Sequence, residues 1–333
     1  MKGIFLGMIM TGGVLTAMAQ TTDKRFYIGA NARAGMVDHK EIVRSPGRIY
    51  NNAIPQPYNR SLPEVELDNA FGFDAQVGYF FSPNAKWGVS SGVIFLQYGG
   101  TLTLDNMLVE YQAWDFNGDT YRQVVSNSKP VTEEFTMRNI SIPLVIKYRT
   151  SISKKLGVVF DAGILYNVVA RSEYTANAAF DYEAIYQFNV SSDGGVTAVY
   201  DNAVVPDEND WMITRAQYQK DKGDGNEAAY FDGFRKQGYN VGLDVPATGS
   251  GTKEYKTGSI GGLLQTTFTL QLTDAMQANL GLYYVHQNFR NDRTTANNRI
   301  TNALGEYNTV QDNFVRFRNS NYGLSLGLSM YLF

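Results

Sequence analysis

The chain has 333 residues, with 29 Lys and Arg against 32 Asp and Glu, which leaves a net charge of −3. This balance lacks the basic surface that nucleic-acid binding requires, so we expect no nucleic-acid partner. The absence of Cys excludes disulfides and thiolate chemistry, and 2 His are too few for a histidine-rich metal centre. The 22 Tyr, 19 Phe and 32 Gly favour strands and turns over helices.

Residues 1–19 have the pattern of a secretory signal peptide. Lys2 precedes an apolar run from Gly3 to Leu15, and Ala17-Met18-Ala19 fits the small-x-small cleavage motif. The run is shorter than the roughly 20 residues that a spanning helix needs, which disfavours the alternative of a membrane anchor. We therefore predict cleavage after Ala19, export through the inner membrane, and a mature domain of residues 20–333.

The mature chain contains eight segments in which apolar residues alternate with polar or small ones. They begin at Phe26, Phe71, Trp87, Ile140, Leu156, Ile260, Met276 and Tyr322. Their apolar faces end in aromatic residues, and their opposite faces carry Gly, Ser, Asn and Gln. This combination is typical of transmembrane β-strands with lipid outside and a polar lumen inside. The alternative is a soluble sandwich, which would carry more charged residues on its polar face.

Short and long connections alternate along the chain. The short ones are 82–86, 149–155 and 273–275, and the long ones are about 37–70, 101–134, 171–256 and 291–317. This alternation is typical of outer-membrane barrels, which have periplasmic turns and extracellular loops. We therefore predict an all-β, antiparallel, up-and-down transmembrane β-barrel of eight strands in the cell outer membrane, with both chain ends on the periplasmic side.

The longest connection, 171–256, has 14 acidic and 8 basic residues and many aromatics. Disordered segments are poor in aromatics, so we predict a folded cap. Phe180–Val190 alternates and is followed by Asp193-Gly194-Gly195, which predicts a hairpin above the membrane. The alternative is two further spanning strands, giving ten. Asn226–Gln237 has the composition of a helix that ends at Gly238.

The fourth segment has a distinctive sequence, NISIPLVIKY over Asn139–Tyr148. Leu96–Gly100 reads LQYGG, the signal ends in Ala19-Gln20, and the last segment alternates Leu. These motifs resemble the PorT-like family of outer-membrane β-barrels over the eight segments, but not over the long connections. The resemblance implies an eight-stranded outer-membrane barrel, and the secretion role of the founding member is not carried over. One departure is that the apolar parity ends at Leu332, one residue before Phe333.

Barrel enzymes such as phospholipases need a Ser–His pair with an acid. His286 lies on an apolar face, and its sequence neighbours supply no nucleophile. His39 lies in the first long connection beside Asp38 and Glu41, but nothing orients it toward Ser45. We predict no catalytic residues and no enzymatic activity.

Asp115, Asn117 and Asp119 match the first three oxygen ligands of a calcium loop. The sixth position lacks the expected Gly and the twelfth lacks Glu. Asn117-Gly118 between aromatic residues instead predicts a type I′ hairpin turn. We predict no metal and no cofactor.

Four charged residues fall on the polar faces of the segments: Arg33, Asp74, Lys147 and Asp161. The lumen of an eight-stranded barrel is just wide enough to be filled by side chains, and buried charges must be paired. We therefore predict structural ion pairs inside the barrel, with Arg33 pairing Asp74 on the neighbouring strand. The alternative is a conducting pore lined by these charges.

The predicted function is a non-catalytic structural or surface-binding role through the long extracellular loops. Two alternatives are an accessory subunit of an outer-membrane secretion or transport complex and a small-solute, porin-like channel. The predicted partners are outer-membrane lipid and lipopolysaccharide, together with other envelope proteins or surface glycans.

Overall fold

A computed structural model describes residues 25–43, 64–82, 84–105, 107–190, 196–199, 211–223, 225–291 and 307–332. The predicted signal peptide, Ser45, the turn at 193–195 and Phe333 lie outside these residues. The strands are β1 (Phe26–Val43), β2 (Glu64–Leu67), β3 (Ala70–Phe80), β4 (Trp87–Leu104), β5 (Leu108–Trp114), β6 (Thr120–Asn127), β7 (Val131–Ser151), β8 (Leu156–Val190), β9 (Val196–Val199), β10 (Trp211–Ile213), β11 (Gly242–Glu254), β12 (Ile260–Gln271), β13 (Met276–Arg290) and β14 (Phe314–Tyr331). The helices are α1 (Arg215–Lys222) and α2 (Glu227–Lys236), and a 3-10 turn covers Val310–Asn313.

Eight strands form a closed antiparallel ring in the order β1-β3-β4-β7-β8-β12-β13-β14, and β14 pairs back with β1. The predicted short connections are present as 81–86, 152–155 and 272–275, all at one end of the ring. The predicted start of the second, at residue 149, is wrong because β7 runs to Ser151. We call this the short-turn end, and the opposite end, where the long connections lie, the outer end.

The ring is apolar outside and polar inside. Outward side chains such as Leu326 (65% exposed) and Ile260 (67%) alternate with inward, buried polar ones. The exposed apolar side chains run around the whole ring, and we call them the apolar belt. A continuous surface of this size marks a site of contact with membrane or protein, because soluble monomers rarely expose large apolar patches.

Five strands extend well past the ends predicted for them. β1 runs to Val43, β4 to Leu104 and β8 to Val190, whereas β7 begins as early as Val131 and β14 at Phe314. The predicted starts of the first three long connections, at residues 37, 101 and 171, are therefore wrong, as are the predicted ends of the second and fourth, at residues 134 and 317. In these additional strand parts, inward and outward side chains still alternate, but the outward side chains are polar. The strands therefore remain paired above the apolar belt.

Above the ring, β8 organises a second region, which we call the outer domain. It contains β2, β5, β6, β9 to β11, both helices, the 3-10 turn and the strand parts above the apolar belt. One side of β8 pairs with β7 and then β6, and the other with β12 and then β11. β9 pairs with the tip of β8 and lies outside the ring, as the predicted hairpin requires.

The outer domain has an apolar core of its own. Its fully buried members come from many elements and include Leu102, Met137, Phe180, Phe231 and Phe289. The predicted helix is confirmed as α2, whose first turn is capped by the Asn226 side chain, which accepts from the Ala229 N–H at 3.0 Å. No helix within the described segments has the length and apolar character to cross a membrane.

Candidate functional site in the lumen and the outer domain

Arg33 and Asp74 meet inside the ring. The register places Asn31 opposite Asp74 and Arg33 opposite Gly72, so Arg33 is diagonal to Asp74 on the same inner face. The Arg33 Nε donates to Asp74 Oδ2 at 2.7 Å, and the Asn31 Nδ2 donates to Asp74 Oδ1 at 2.7 Å. The Arg33 Nη2 also donates to Gln265 Oε1 at 2.9 Å. The guanidinium and the carboxylate are thus held by neutral amides as well as by each other.

Lys147 and Asp161 form a second pair on neighbouring strands. They are directly opposite in the β7–β8 register, and the Lys147 Nζ lies 2.6 Å from Asp161 Oδ2. Gln265, which accepts from Arg33 Nη2, is opposite Asp161 in the β8–β12 register, so the two pairs make one charged layer of zero net charge. Beside it lies a cavity of about 30 Å³, room for one or two waters. Asp161 lines that cavity, and its Oδ1 has no hydrogen-bond partner among the described residues.

An apolar layer lies above the charged layer, toward the outer end. It consists of inward side chains from five strands: Ile94, Leu96, Val145, Leu165, Leu263, Tyr283 and Val285. The Arg33 guanidinium packs over the Tyr283 ring at 4.8 Å and joins the two layers. Sequence reasoning missed this layer because each inner face contributes only one or two apolar residues. Their common height depends on the register between strands.

An amide network fills the lumen above the apolar layer. The Gln287 Nε2 donates to Ser141 Oγ and to Asn167 Oδ1, both at 2.9 Å. Its Oε1 accepts from the Asn139 Nδ2 at 3.3 Å. At the short-turn end, aromatic rings of Tyr27, Phe80 and Tyr331 pack together. Side chains therefore occupy the lumen at four successive levels.

Aromatic rings cluster at the top of the outer domain. Trp211 contacts Tyr186, Tyr239 and Phe234, with ring centroids 4.9, 5.3 and 5.7 Å away. Phe116, at the tip of the β5–β6 hairpin, packs on Tyr239 at 5.2 Å. Trp114 and Phe116 are nevertheless 61% and 59% exposed, and they are the largest apolar side chains at this tip.

In the β5–β6 turn, the side chain of Asp115 accepts hydrogen bonds from the backbone. Its carboxylate accepts from the backbone N–H of Asn117 at 2.8 Å and of Asp119 at 3.0 Å. The predicted hairpin is confirmed, but the predicted type I′ turn is wrong. Type I′ needs positive φ at both central residues, whereas Gly118 (φ +87°) has it and Asn117 does not. Nowhere in the described segments do three or more His, Asp or Glu side chains form a group that could hold a metal.

Both histidines lie within strands. His39 belongs to β1 and not to a loop, which corrects the prediction, and its Nδ1 lies 3.0 Å from Asn319 Oδ1. His286 has a nearby hydroxyl that its sequence neighbours did not reveal, because its Nδ1 lies 3.1 Å from Ser320 Oγ. The register sets Asp38 opposite Ser320 on the other side. The order is therefore His–Ser–Asp, so Asp38 does not orient the imidazole as a catalytic triad requires.

Glu133 is a buried carboxylate in the outer domain. Thr309 Oγ1 and Gln311 Nε2 donate to its Oε1 at 2.6 and 2.5 Å. The Tyr307 hydroxyl and the Val310 N–H donate to its Oε2 at 3.1 and 3.0 Å. Among the described residues no cation pairs with it. Burial raises the pKa of Glu133 above its usual range, and the hydrogen bonds partly oppose this. Through these hydrogen bonds, Glu133 holds residues 307–311 against β7.

A closed antiparallel ring with an apolar outside and a polar inside is the arrangement of outer-membrane β-barrel proteins. A family model described as an outer membrane protein beta-barrel domain matches residues 18–206, more than half of the chain. The chain belongs to this family and is an outer membrane protein. The description is broader than the PorT-like family, so that narrower assignment stays a prediction.

Two solved structures are similar to this chain at low scores. The crystal structure of the outer membrane protein OprG from Pseudomonas aeruginosa has 9% identity and a TM-score of 0.31, covering 92% of this chain and 95% of that one. The crystal structure of a Pseudomonas aeruginosa FadL homologue has 7% identity and a TM-score of 0.18, covering 93% and 91%. No curated protein matches the chain.

Proposed function

We propose that the eight-strand ring spans the outer membrane as a closed barrel and carries the outer domain on the cell surface, where it has a non-catalytic binding role. The observation that supports the spanning ring is the apolar belt. Along β12 and the residue that follows it, exposed apolar residues extend from Ile260 to Leu272. Twelve residue steps at about 3.3 Å, tilted by about 40°, rise about 30 Å, which is the thickness of a hydrocarbon core.

The orientation follows from the connections. Outer-membrane barrels have short periplasmic turns and long extracellular loops, so the short-turn end faces the periplasm. The predicted signal peptide, residues 1–19, fits export to this location.

Heat-modifiable mobility tests the spanning barrel. A closed barrel satisfies its backbone hydrogen bonds internally and resists detergent. Unboiled protein extracted from outer membranes should therefore migrate differently from boiled protein on a detergent gel. Identical mobility, with recovery in the soluble fraction, would contradict the proposal.

The filled lumen favours a binding role over the alternative of a small-solute channel. The charged layer consists of paired residues, and the apolar layer lies directly above it. Purified protein should therefore give no steady single-channel conductance in planar bilayers. Steady conductance steps would favour the channel.

Trp114 and Phe116 are the features that favour the hairpin tip as the binding face. Both rings are exposed in an outer domain whose other large apolar side chains are mostly buried. Stacking against aromatic rings is common to glycan and protein recognition. Calorimetric titration of purified surface polysaccharides should show binding to the unmodified protein but not to the variant Trp114→Ala with Phe116→Ala. Trp87→Ala, in the apolar belt, is the matched control.

A further inference from the structure

Basic residues from β1, β13, β14 and the segment before β12 form a cluster on the outer face, above the apolar belt. We call this cluster the basic patch: Lys40, Lys256, Arg290, Arg316 and Arg318. Lys40 is opposite Arg318, Arg316 is opposite Arg290, and Arg290 is bridged to Lys256. With strands about 4.8 Å apart, the patch is about 14 Å wide.

Among the described residues, no acidic side chain neutralises the positive charges of the basic patch. Like charges directly opposite each other on neighbouring strands are destabilising. Within the described segments, none of the five cations forms an ion pair. Asp38 lies on the same outer face, two residues from Lys40 and diagonal to Arg318, but it forms no ion pair with either of them. A cluster of this kind is stable when an external anion neutralises it.

The opposite wall of the barrel shows a different solution at the same height. There Arg138 and Arg171 lie above the apolar belt on β7 and β8, and both contact one carboxylate. The distances to Glu173 Oε1 are 2.6 Å from Arg138 Nη1 and 2.5 Å from Arg171 Nη2. One carboxylate therefore contacts both cations on that wall, whereas no acidic side chain among the described residues pairs with a cation of the basic patch.

We infer that the basic patch binds the phosphate groups of a phosphorylated glycolipid in the outer leaflet. This rests on the proposed placement of the ring in the membrane. One row of polar side chains, Asp38, Ser320 and His286, separates the patch from the apolar belt below it, where Met36, Tyr284 and Tyr322 are exposed. One lipid can therefore pack its acyl chains on the belt while its headgroup phosphates reach the cations. Basic clusters beside a hydrocarbon boundary recognise anionic headgroups in this way.

A free phosphate ion would share the headgroup chemistry but gain nothing from the belt. The test therefore compares bisphosphorylated lipid A, the same lipid with its phosphates removed, and inorganic phosphate. Each is titrated into the full-length barrel in neutral detergent, and binding is read by native mass spectrometry. The test variant is Arg290→Gln with Arg316→Gln and Arg318→Gln. The matched control, Lys86→Gln with Lys154→Gln and Lys155→Gln, removes three exposed cations from the short-turn end.

Each cation beside an anionic headgroup contributes about fivefold in affinity, less where water screens it. We expect the test variant to raise the Kd for bisphosphorylated lipid A about tenfold or more, and the control to change it less than twofold. Equal affinity of the test variant and the unmodified protein would overturn the inference. So would equal weakening by the control, equally tight binding of dephosphorylated lipid, or competition by inorganic phosphate at the lipid's own concentration.

Folding is checked by heat-modifiable mobility of every variant. If the unmodified protein lacks it, the proposed spanning barrel fails; if mobility is normal but binding is unchanged, this inference alone fails. Should the triple variant not fold, Arg318→Glu is used in its place, because it reverses one exposed charge in the middle of the patch. Undiminished lipid A binding by a folded Arg318→Glu protein would equally overturn the inference.

Discussion

Within β8, the ring half and the outer-domain half place opposite kinds of side chain on the outside. In the ring, Ile164 and Tyr166 face outward and are exposed, whereas Asp161 faces inward and is buried. In the outer domain, Thr175 faces outward, and Ala176 is buried on the inner face. The backbone pairing is continuous through both halves. The polarity of the outward side chains therefore changes along β8, whereas the backbone pairing does not.

The change occurs between Val168 and Arg171. At the same height the β7–β8 register shifts between Ile140 and Ser141. β7 reverses in the same way, from outward Ile142 to outward Arg138. Since apolar side chains favour hydrocarbon and charged ones favour water, this reversal lies at the outer boundary of the membrane in the proposed placement of the ring.

The largest effect is expected from breaking a charge pair in the lumen. Asp74→Ala leaves the buried Arg33 without its closest carboxylate, which costs about 3–5 kcal/mol of unfolding free energy in a dry site and less where water enters. The double variant Arg33→Ala with Asp74→Ala should lose less than Asp74→Ala alone. Thermal unfolding in detergent measures this. Additive losses would mean that the two residues are not energetically coupled.

The next effect tests the apolar belt. Leu326→Arg places a charge near the middle of the belt, where arginine costs about 2–4 kcal/mol in a lipid bilayer. The measurement is urea unfolding of the protein folded into phospholipid vesicles.

Trp114→Arg is the matched control for this change. Trp114 is 61% exposed and Leu326 is 65% exposed, but Trp114 lies in the outer domain. Substitution at a water-exposed site should change the unfolding free energy by about 0.5 kcal/mol or less. Equal losses for the two variants would contradict the difference in solvent between the two regions.

A smaller and local effect is expected from Glu133 in the outer domain. Its folded pKa is raised above the ordinary value of 4.5, so the folded state holds the proton more tightly than the unfolded state. Stability therefore falls as pH rises from that ordinary value through the raised pKa, and it is greatest below both. Hydrogen-exchange protection factors of the 307–312 amides should increase as pH is lowered from 7 toward 4.5.

Glu133→Gln should flatten this pH dependence, because the side chain no longer titrates. Glu134→Gln is the control, since Glu134 is the next residue and is exposed on the outer face. A pH dependence that survives in Glu133→Gln would assign it to another group.

The smallest expected effect is the absence of trypsin cleavage at the short-turn end. Lys154 and Lys155 are exposed at the short-turn end, and Lys220 and Lys222 are exposed in the outer domain. Trypsin added to intact cells should cut at the second pair and not at the first. Cleavage after Lys154 or Lys155, with the outer membrane intact, would reverse the proposed orientation.

Alternation of side chains was sufficient to predict the ring strands, their short turns and the inward parity of residues such as Lys147. It was not sufficient to predict where the strands end. Beyond Arg171 the period of two continues with reversed polarity, so the membrane boundary resembled the end of a strand. Contacts such as His286–Ser320 depend on the pairing register, which one sequence does not display. The type of the β5–β6 turn depended on the Asp115 side chain rather than on Asn117-Gly118.

The outer-domain core is built from strands that are far apart in the chain, and this has a consequence for biogenesis. Its buried residues include Leu102 from β4 and Phe317 from β14, segments more than 200 residues apart in the chain. Bringing such distant segments together carries a large loop-closure entropy, which delays their pairing. The core is complete only when β14 has arrived beside β1 and closed the ring. The outer domain is therefore expected to reach the cell surface unfinished and to become compact as the last strand is inserted.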